Sequence, residues 1–263
     1  MFAKRGVVGT VPRLSFVASG KPAAQEVLAA LASRYGQIDL AEADCVVAVG
    51  DDGTTLKALH AALRHHKPVF ALRLEGSIGF LANPLLLDNL PERVRAASPL
   101  TIHPLRATVR NVRGNATTAL GLNEVVITRQ KLQTIKLRIL VDGVERASGF
   151  AGDGVLVATA VGSMAYNRSA GGPALAFGYG LLSLTGLSPC CSVNWSNTVL
   201  RSGSDIDIEI LGADYRLAKV EVGRRTITAA KQVRIIRAQN SVTLLLEHSA
   251  ERLYSPSAPL VWT

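Results

Sequence analysis

The feature that most constrains this chain is a change of texture near Pro99. From Leu14 to about Arg95, short apolar runs alternate with segments of helical periodicity. Beyond Pro99, brief β-rich runs follow one another between Gly and Asn residues. Strand and helix in alternation build an α/β layer with parallel strands, whereas consecutive short strands build antiparallel sheet. The chain therefore reads as an α/β N-terminal domain, Rossmann-like with a parallel sheet, followed by a β-rich, β-sandwich-like C-terminal domain. The expected limits are residues 1–97 and 98–240, with 241–263 returning to the first domain.

Individual elements follow from local pattern. Residues 14–18 read as a strand, and Val27, Leu28, Leu31 and Ala32 lie at helical spacing between Pro22 and Gly36, the usual start and stop residues of a helix. Residues 45–49 form a continuous apolar run of buried-strand type, 55–66 are helical, and 69–72 make a third strand. In the second half, strands are expected at 101–110, 117–122, 124–128, 135–141, 145–150, 155–160, 205–211, 217–222, 232–238 and 242–246. Asp142-Gly143 between two such runs predicts a tight hairpin turn of primed type, which needs positive φ.

With 48% apolar and 19% charged residues, the 263-residue chain can bury a sizeable core, which excludes a mainly disordered polymer. The net charge of +9 comes from scattered Lys and Arg, not from a block, so charge alone does not choose among nucleic acid, an anionic membrane surface and a phosphate-rich small substrate. No nucleic acid is expected, because no basic stripe is interleaved with aromatics. Cys45, Cys190 and Cys191 have neither metal-ligand nor disulfide-framework spacing, which points to the cytoplasm. The uncharged stretch between Arg168 and Arg201 is interrupted by glycines and prolines, so no membrane partner is expected.

Two segments carry most of the candidate chemistry. The first is Gly50-Asp51-Asp52-Gly53-Thr54, a turn between an apolar strand and a helix. Backbone N–H groups at such a turn suit phosphate, while a carboxylate there abstracts a proton or holds a cation. The second runs from Thr159 to Pro173, where small residues permit close approach and Ser163, Tyr166, Asn167 and Ser169 offer hydrogen bonds to a sugar or base. Asn123-Glu124, next to an apolar strand, pairs an amide with a carboxylate and suits a ribose diol or a carboxamide.

Taken in this order, the pieces resemble the NAD kinase family over residues 14–237. Its Gly-Gly-Asp-Gly-Thr is similar to Gly50 through Thr54, its Gly-x-x-Gly-Phe-Leu to Gly76 through Leu81, and its Asn-Glu to Asn123-Glu124. Its Thr-Pro-Thr-Gly-Ser-Thr-Ala-Tyr-x-x-Ser-x-Gly-Gly-Pro segment is similar to Thr159 through Pro173. The resemblance implies a two-domain kinase, a homodimer or homotetramer, that moves a phosphoryl group from ATP or polyphosphate to the 2′-hydroxyl of the adenosine ribose of NAD. Mg²⁺ would accompany ATP, with no metal site built from protein ligands. By position, Asp52 would be the general base, Gly53 and Thr54 would hold phosphates, and Lys57 would neutralise one. Asn123, Glu124, Asp153, Val161, Met164, Ala165, Tyr166, Asn167, Arg168, Ser169 and Ser188 would hold NAD.

The chain also departs from that pattern. Asp51 replaces a glycine, Leu74 an asparagine, Ala160-Val161 a Pro-Thr pair and Met164 a threonine. These changes raise the alternative of a weakened or regulatory nucleotide-binding paralogue. The Asp-Gly-Thr turn alone is shared with diacylglycerol kinase-like lipid kinases.

Overall fold

The computed structural model describes residues 11–76, 80–190 and 195–247. Ser77, Ile78 and Gly79 of the second motif, Cys191, and the expected C-terminal segment from residue 248 onward lie outside the described residues. In chain order the first elements are β1 (Leu14–Ala18), α1 (Pro22–Tyr35), β2 (Cys45–Gly50), α2 (Asp52–His65), β3 (Val69–Arg73), β4 (Asn83–Pro84), α3 (Leu90–Ala96) and β5 (Ser98–Ile102). Next come β6 (Leu105–Asn111), β7 (Ala116–Gly121), β8 (Glu124–Arg129), β9 (Ile135–Val141), β10 (Val144–Gly152) and β11 (Gly154–Thr159). A 3₁₀ turn at Gly162–Met164 and the short α4 (Tyr166–Ser169) precede β12 (Leu181–Leu187), β13 (Thr198–Arg201), β14 (Ile206–Leu211), β15 (Ala218–Val222), β16 (Arg225–Arg237) and β17 (Val242–Leu246).

Residues 11–101 with 242–247 make one compact unit and 102–241 the other. The first unit holds a sheet in the order β1-β2-β3-β17-β5, with β4 beside β3. β1, β2, β3, β4 and β17 pair in parallel. Every residue of β2 is buried, as expected of a central parallel strand covered on both faces. Leu14, Phe16, Val47, Val49, Phe70 and Leu72 form one core with Ala24 and Leu31 of α1 and Leu90 and Val94 of α3.

The second unit is antiparallel throughout its paired strands, in the order β10-β9-β14-β16-β15-β8-β11-β12-β13, with β6 and β7 attached through β16. Among its described residues no helix exceeds one turn, so the sheet's own residues bury one another in a large core that includes Leu105, Ile127, Ile139, Phe150, Val157, Ile208 and Val233 and a smaller one of Val126, Leu156, Ala158 and Leu187. The hairpin turn has φ of 52° at Asp142 and 76° at Gly143, which are the angles of a primed turn.

Four expectations need correction. The 101–110 run is two strands in different sheets, because Pro104 has no N–H to continue a ladder. Helix α2 begins at Asp52, three residues before the expected start, because Asp51 caps it. β12 and β13 occupy the uncharged stretch that carried no expected strand, and β16 starts seven residues ahead of the expected 232.

Candidate active site

The Asp51-Asp52 turn grows out of β2. A Cβ on Gly50 would stand 2.5 Å from Thr54 Oγ1 and 2.7 Å from Thr54 Cβ, so only glycine lets the first turn of α2 fold back on the strand end. Asp51 then acts as the cap: its Oδ1 accepts from Thr54 N at 2.9 Å and from Thr54 Oγ1 at 2.8 Å. These two hydrogen bonds, helped by Lys21 with Nζ 3.6 Å from Asp51 Oδ2, hold the Asp51 carboxyl below its ordinary range.

Asp52 has the opposite environment. Its Oδ2 accepts from Phe80 N at 3.1 Å and its Oδ1 from Leu81 N at 3.0 Å. Burial pushes its acidity toward the neutral form, and the two N–H bonds oppose that shift only in part. Gly53 and Lys57 are exposed on α2, while Thr54 is buried with its hydroxyl committed to Asp51. Gly53 meets no steric demand of the fold, since a Cβ there would find only Asp51 Oδ1 at an ordinary 3.5 Å.

In the second unit, Asn123 and Glu124 enter β8, and Glu124 is paired with Ala158 of β11. Thr159 N donates to Asn123 O at 2.8 Å, Thr159 Oγ1 donates to Leu122 O at 2.7 Å, and Gly162 N donates to Thr159 Oγ1 at 3.2 Å. A Cβ on Gly162 would lie 2.2 Å from Asn123 O, so the loop after β11 rests directly on the Asn-Glu pair. Asn123 Oδ1 and Glu124 Oε2 are both buried without a hydrogen-bond partner. With no donor to offset desolvation, the Glu124 carboxyl is pushed up to about 7. Two such acceptors side by side suit a ligand that brings hydroxyl or amide donors.

A cavity of about 790 Å³ opens in the same unit; its lining includes Asp153, Tyr166, Ser169, Ala170, Leu187 and Ser188 but not Asn123 or Glu124. Four residues singled out from sequence, Asp153, Tyr166, Ser169 and Ser188, thus share one wall system. Tyr166 is 45% exposed, which leaves a ring face for stacking. Asp153 is paired with Arg129, and Ser169 Oγ donates to Tyr166 O at 3.0 Å.

Two other polar members of the segment, Asn167 and Ser163, turn away from solvent. Asn167 is fully buried: its Nδ2 donates to Ser163 O at 3.1 Å and Pro173 O at 2.9 Å, and its Oδ1 accepts from Thr185 Oγ1 at 2.7 Å. Its side chain fixes the loop, with both amide hydrogens taken by backbone carbonyls. Ser163 is likewise internal, donating to Ala160 O and accepting from Leu175 N. Val161 is buried, Met164 is half-buried, and Ala165 and Arg168 are exposed.

Sequence reasoning assigned no role to Arg129, Gln130, Lys131 and Lys219, which also line the cavity. They sit at strand ends with no local signature, and the antiparallel pairing of β15 with β8 gathers them. Phe80 and Leu81 were visible only as part of a motif, because their contribution to Asp52 is made by backbone N–H groups.

A parallel α/β unit with an acid-bearing turn at a strand end, followed by a β unit with unpartnered acceptors, defines a nucleotide-handling enzyme. Residues 21–97 match the ATP-NAD kinase N-terminal domain and residues 122–246 the ATP-NAD kinase C-terminal domain. An NAD kinase of Hyphomonas neptunium is 41% identical over 204 residues, 78% of this chain and 80% of that protein. An NAD kinase of Rhizobium meliloti is 37% identical over 89% of this chain and 90% of its own length. Among solved structures, yeast NADH kinase complexed with NADH aligns with a TM-score of 0.78 at 18% identity, covering 97% of this chain and 91% of that one. An Archaeoglobus fulgidus NAD kinase in complex with ATP gives 0.73 at 22% identity, covering 91% and 96%. The chain is a kinase and belongs to the NAD kinase family.

Proposed function

We propose that this protein phosphorylates NAD to NADP, taking the phosphoryl group from ATP or polyphosphate and placing it on the 2′-hydroxyl of the adenosine ribose. The observation that carries the chemical assignment is the state of Asp52. Its carboxylate is partly buried, oriented by one N–H on each oxygen, and raised in pKa, which makes it a better proton acceptor than an exposed aspartate. In this reading Asp52 accepts the proton of the 2′-hydroxyl, the freed oxygen pair attacks the terminal phosphorus, and the bond from that phosphorus to the leaving oxygen breaks to release ADP, or polyphosphate shortened by one unit. The remaining chemistry is positioning, the dominant requirement of phosphoryl transfer.

NAD is assigned to the second unit. Asn123 and Glu124 accept from ribose hydroxyls, Tyr166 stacks with a base, and Ser169, Ser188 and Asp153 border the cavity. Exposed Gly53 and Lys57 face the donor phosphates. Mg²⁺ would arrive with the donor's phosphates, since that ion keeps several waters and takes few protein ligands. When bound, it would neutralise charge developing on the phosphoryl oxygens.

The departures at Asp51, Leu74, Val161 and Met164 set the alternative of a non-catalytic paralogue, which the assay below decides. Asp51 is absorbed as a helix cap, and Leu74 and Val161 are buried apolar residues. The deciding experiment incubates purified protein with NAD, Mg²⁺ and either ATP or polyphosphate and measures NADP. Asp52→Asn should lower kcat by on the order of 10²–10⁴, the usual contribution of a positioned base. NADP formation no greater than that variant's background would overturn the assignment.

A further inference from the structure

Ser19, Gly20 and Lys21 connect β1 to α1 at the carboxyl end of β1, beside the end of β2. Ser19 N donates to Val49 O at 3.0 Å, which ties this loop to the strand that ends at Gly50. Ser19 Oγ is buried and has no hydrogen-bond partner. Lys21 is the residue just before α1, and its side chain is 60% exposed with Nζ 3.6 Å from Asp51 Oδ2. In open parallel sheets, ligands sit beyond the carboxyl ends of the strands. The β1–α1 loop therefore borders the same crevice as Asp51, Asp52 and Gly53.

An anionic phosphoryl donor entering that crevice meets two consecutive carboxylates. Thr54 and Lys21 stabilise the ionised form of Asp51. Its Oδ1 is fully used by Thr54, and Oδ2 points at the Lys21 ammonium. That ammonium lies outside hydrogen-bond distance of Asp51 and carries three donors on a flexible stem, which suits phosphate oxygens.

We propose that Lys21 is the compensating cation of the donor site: it offsets Asp51 and presents its ammonium to the donor's phosphates. The assignment rests on the kinase reading given above. It extends the donor site to a second loop, of which no residue lies in the Gly50–Thr54 turn.

The test is steady-state kinetics on the full chain with ATP and NAD varied separately, for the wild type, Lys21→Met, Lys21→Arg, Asp51→Asn and Lys21→Met combined with Asp51→Asn. Asparagine keeps a capping oxygen while removing the charge. Lys21→Met should raise KM for ATP by about tenfold, the scale of one charge-assisted contact with phosphate, and leave KM for NAD and kcat within about twofold. Lys21→Arg should stay within about threefold of the wild type, since it keeps the charge. In the Asp51→Asn background the Lys21→Met effect should shrink to about threefold or less, because no uncompensated acid remains. Calorimetric titration with ATP should reproduce the ranking without turnover, and matching melting temperatures check the fold of each variant. An unchanged KM for ATP in Lys21→Met, or an equal rise in both backgrounds, overturns the proposal while a turning-over wild type leaves the kinase assignment standing. A wild type that binds no ATP and makes no NADP overturns the kinase assignment itself.

Discussion

Glu124→Gln is expected to stabilise the ligand-free protein at neutral pH while weakening its hold on the dinucleotide. The Glu124 carboxyl has an ordinary value of 4.5 and is pushed up to about 7 by burial without a donor for Oε2. Between those two values the unfolded chain has released the proton and the folded chain still holds it. Stability is therefore lost as pH rises from about 4.5 to about 7, and the loss is complete above that. At 1.36 kcal/mol per pH unit the interval amounts to about 3 kcal/mol. Glutamine has nearly the same volume and never ionises, so the variant escapes this cost. Urea unfolding of both proteins from pH 4 to pH 8 should show stabilities that agree at the acid end and diverge by up to about 3 kcal/mol at the alkaline end. Calorimetric titration with NAD at pH 8 should then show weaker binding by the variant, because the ionised carboxylate accepts two hydroxyls and the amide only one. A stability difference that does not change with pH would refute the reasoning, since it would mean that Glu124 is solvated or already paired.

Other expectations address separate parts of the molecule. Gly53→Ala should leave stability unchanged or improve it by up to about 1 kcal/mol by chemical denaturation, since alanine is the better helix former, yet should raise KM for ATP by crowding the donor. Asn167→Ala should cost about 2–4 kcal/mol in urea unfolding, because it strands Thr185 and two carbonyls, whereas Tyr166→Ala should unfold like the wild type and bind NAD less tightly. Arg93→Met should destabilise the first unit by about 3 kcal/mol, since Arg93 makes two bonds to Glu247 and others to Leu86 O and Pro84 O. Cys45, whose thiol burial pushes up to about 12, should resist alkylation in the native protein as judged by peptide mass mapping.

Physical causes separate what was legible in the sequence from what was not. Buried parallel strands announce themselves as apolar runs, and so β1, β2 and β3 and the helix between Pro22 and Tyr35 were readable residue by residue. A cap is a side-chain event, and the start of α2 was misplaced because Asp51 and Thr54 look like turn formers until they are seen bonded to each other. β12 was hidden by Gly186, which marks a break by local rule. In the folded unit it is required instead, because a Cβ there would meet Trp195 Nε1 at 2.6 Å. The site divides in the same way. Residues that offer side chains in a recognisable order, such as Asn123-Glu124 and Tyr166, could be proposed in advance, and in the structure the first two keep a buried unpartnered oxygen and the third is exposed. Asn167 carried the same polar signature and proved to be a scaffold residue, since only packing shows whether an amide faces inward. The cavity residues Arg129, Lys131 and Lys219 come together through strand register, which single-sequence reasoning does not supply.

Two consecutive aspartates at one strand end would be hard to tell apart by sequence, and their environments separate them. Asp51 gives its lone pairs to a helix cap and a nearby ammonium, so it is held ionised and is a poor proton acceptor. Asp52 is shifted the other way by burial and keeps a fixed orientation through Phe80 and Leu81. Where neighbouring carboxylates are driven apart in pKa, the raised one is the natural base. The two conservative amides should therefore behave differently although they are adjacent and chemically identical: Asp52→Asn removes the base, and Asp51→Asn retains a cap oxygen and the chemistry. Their kcat values for NADP formation should differ by at least on the order of 10². Equal losses in the two variants would show that the turn acts as one electrostatic unit and that no single base resides in it.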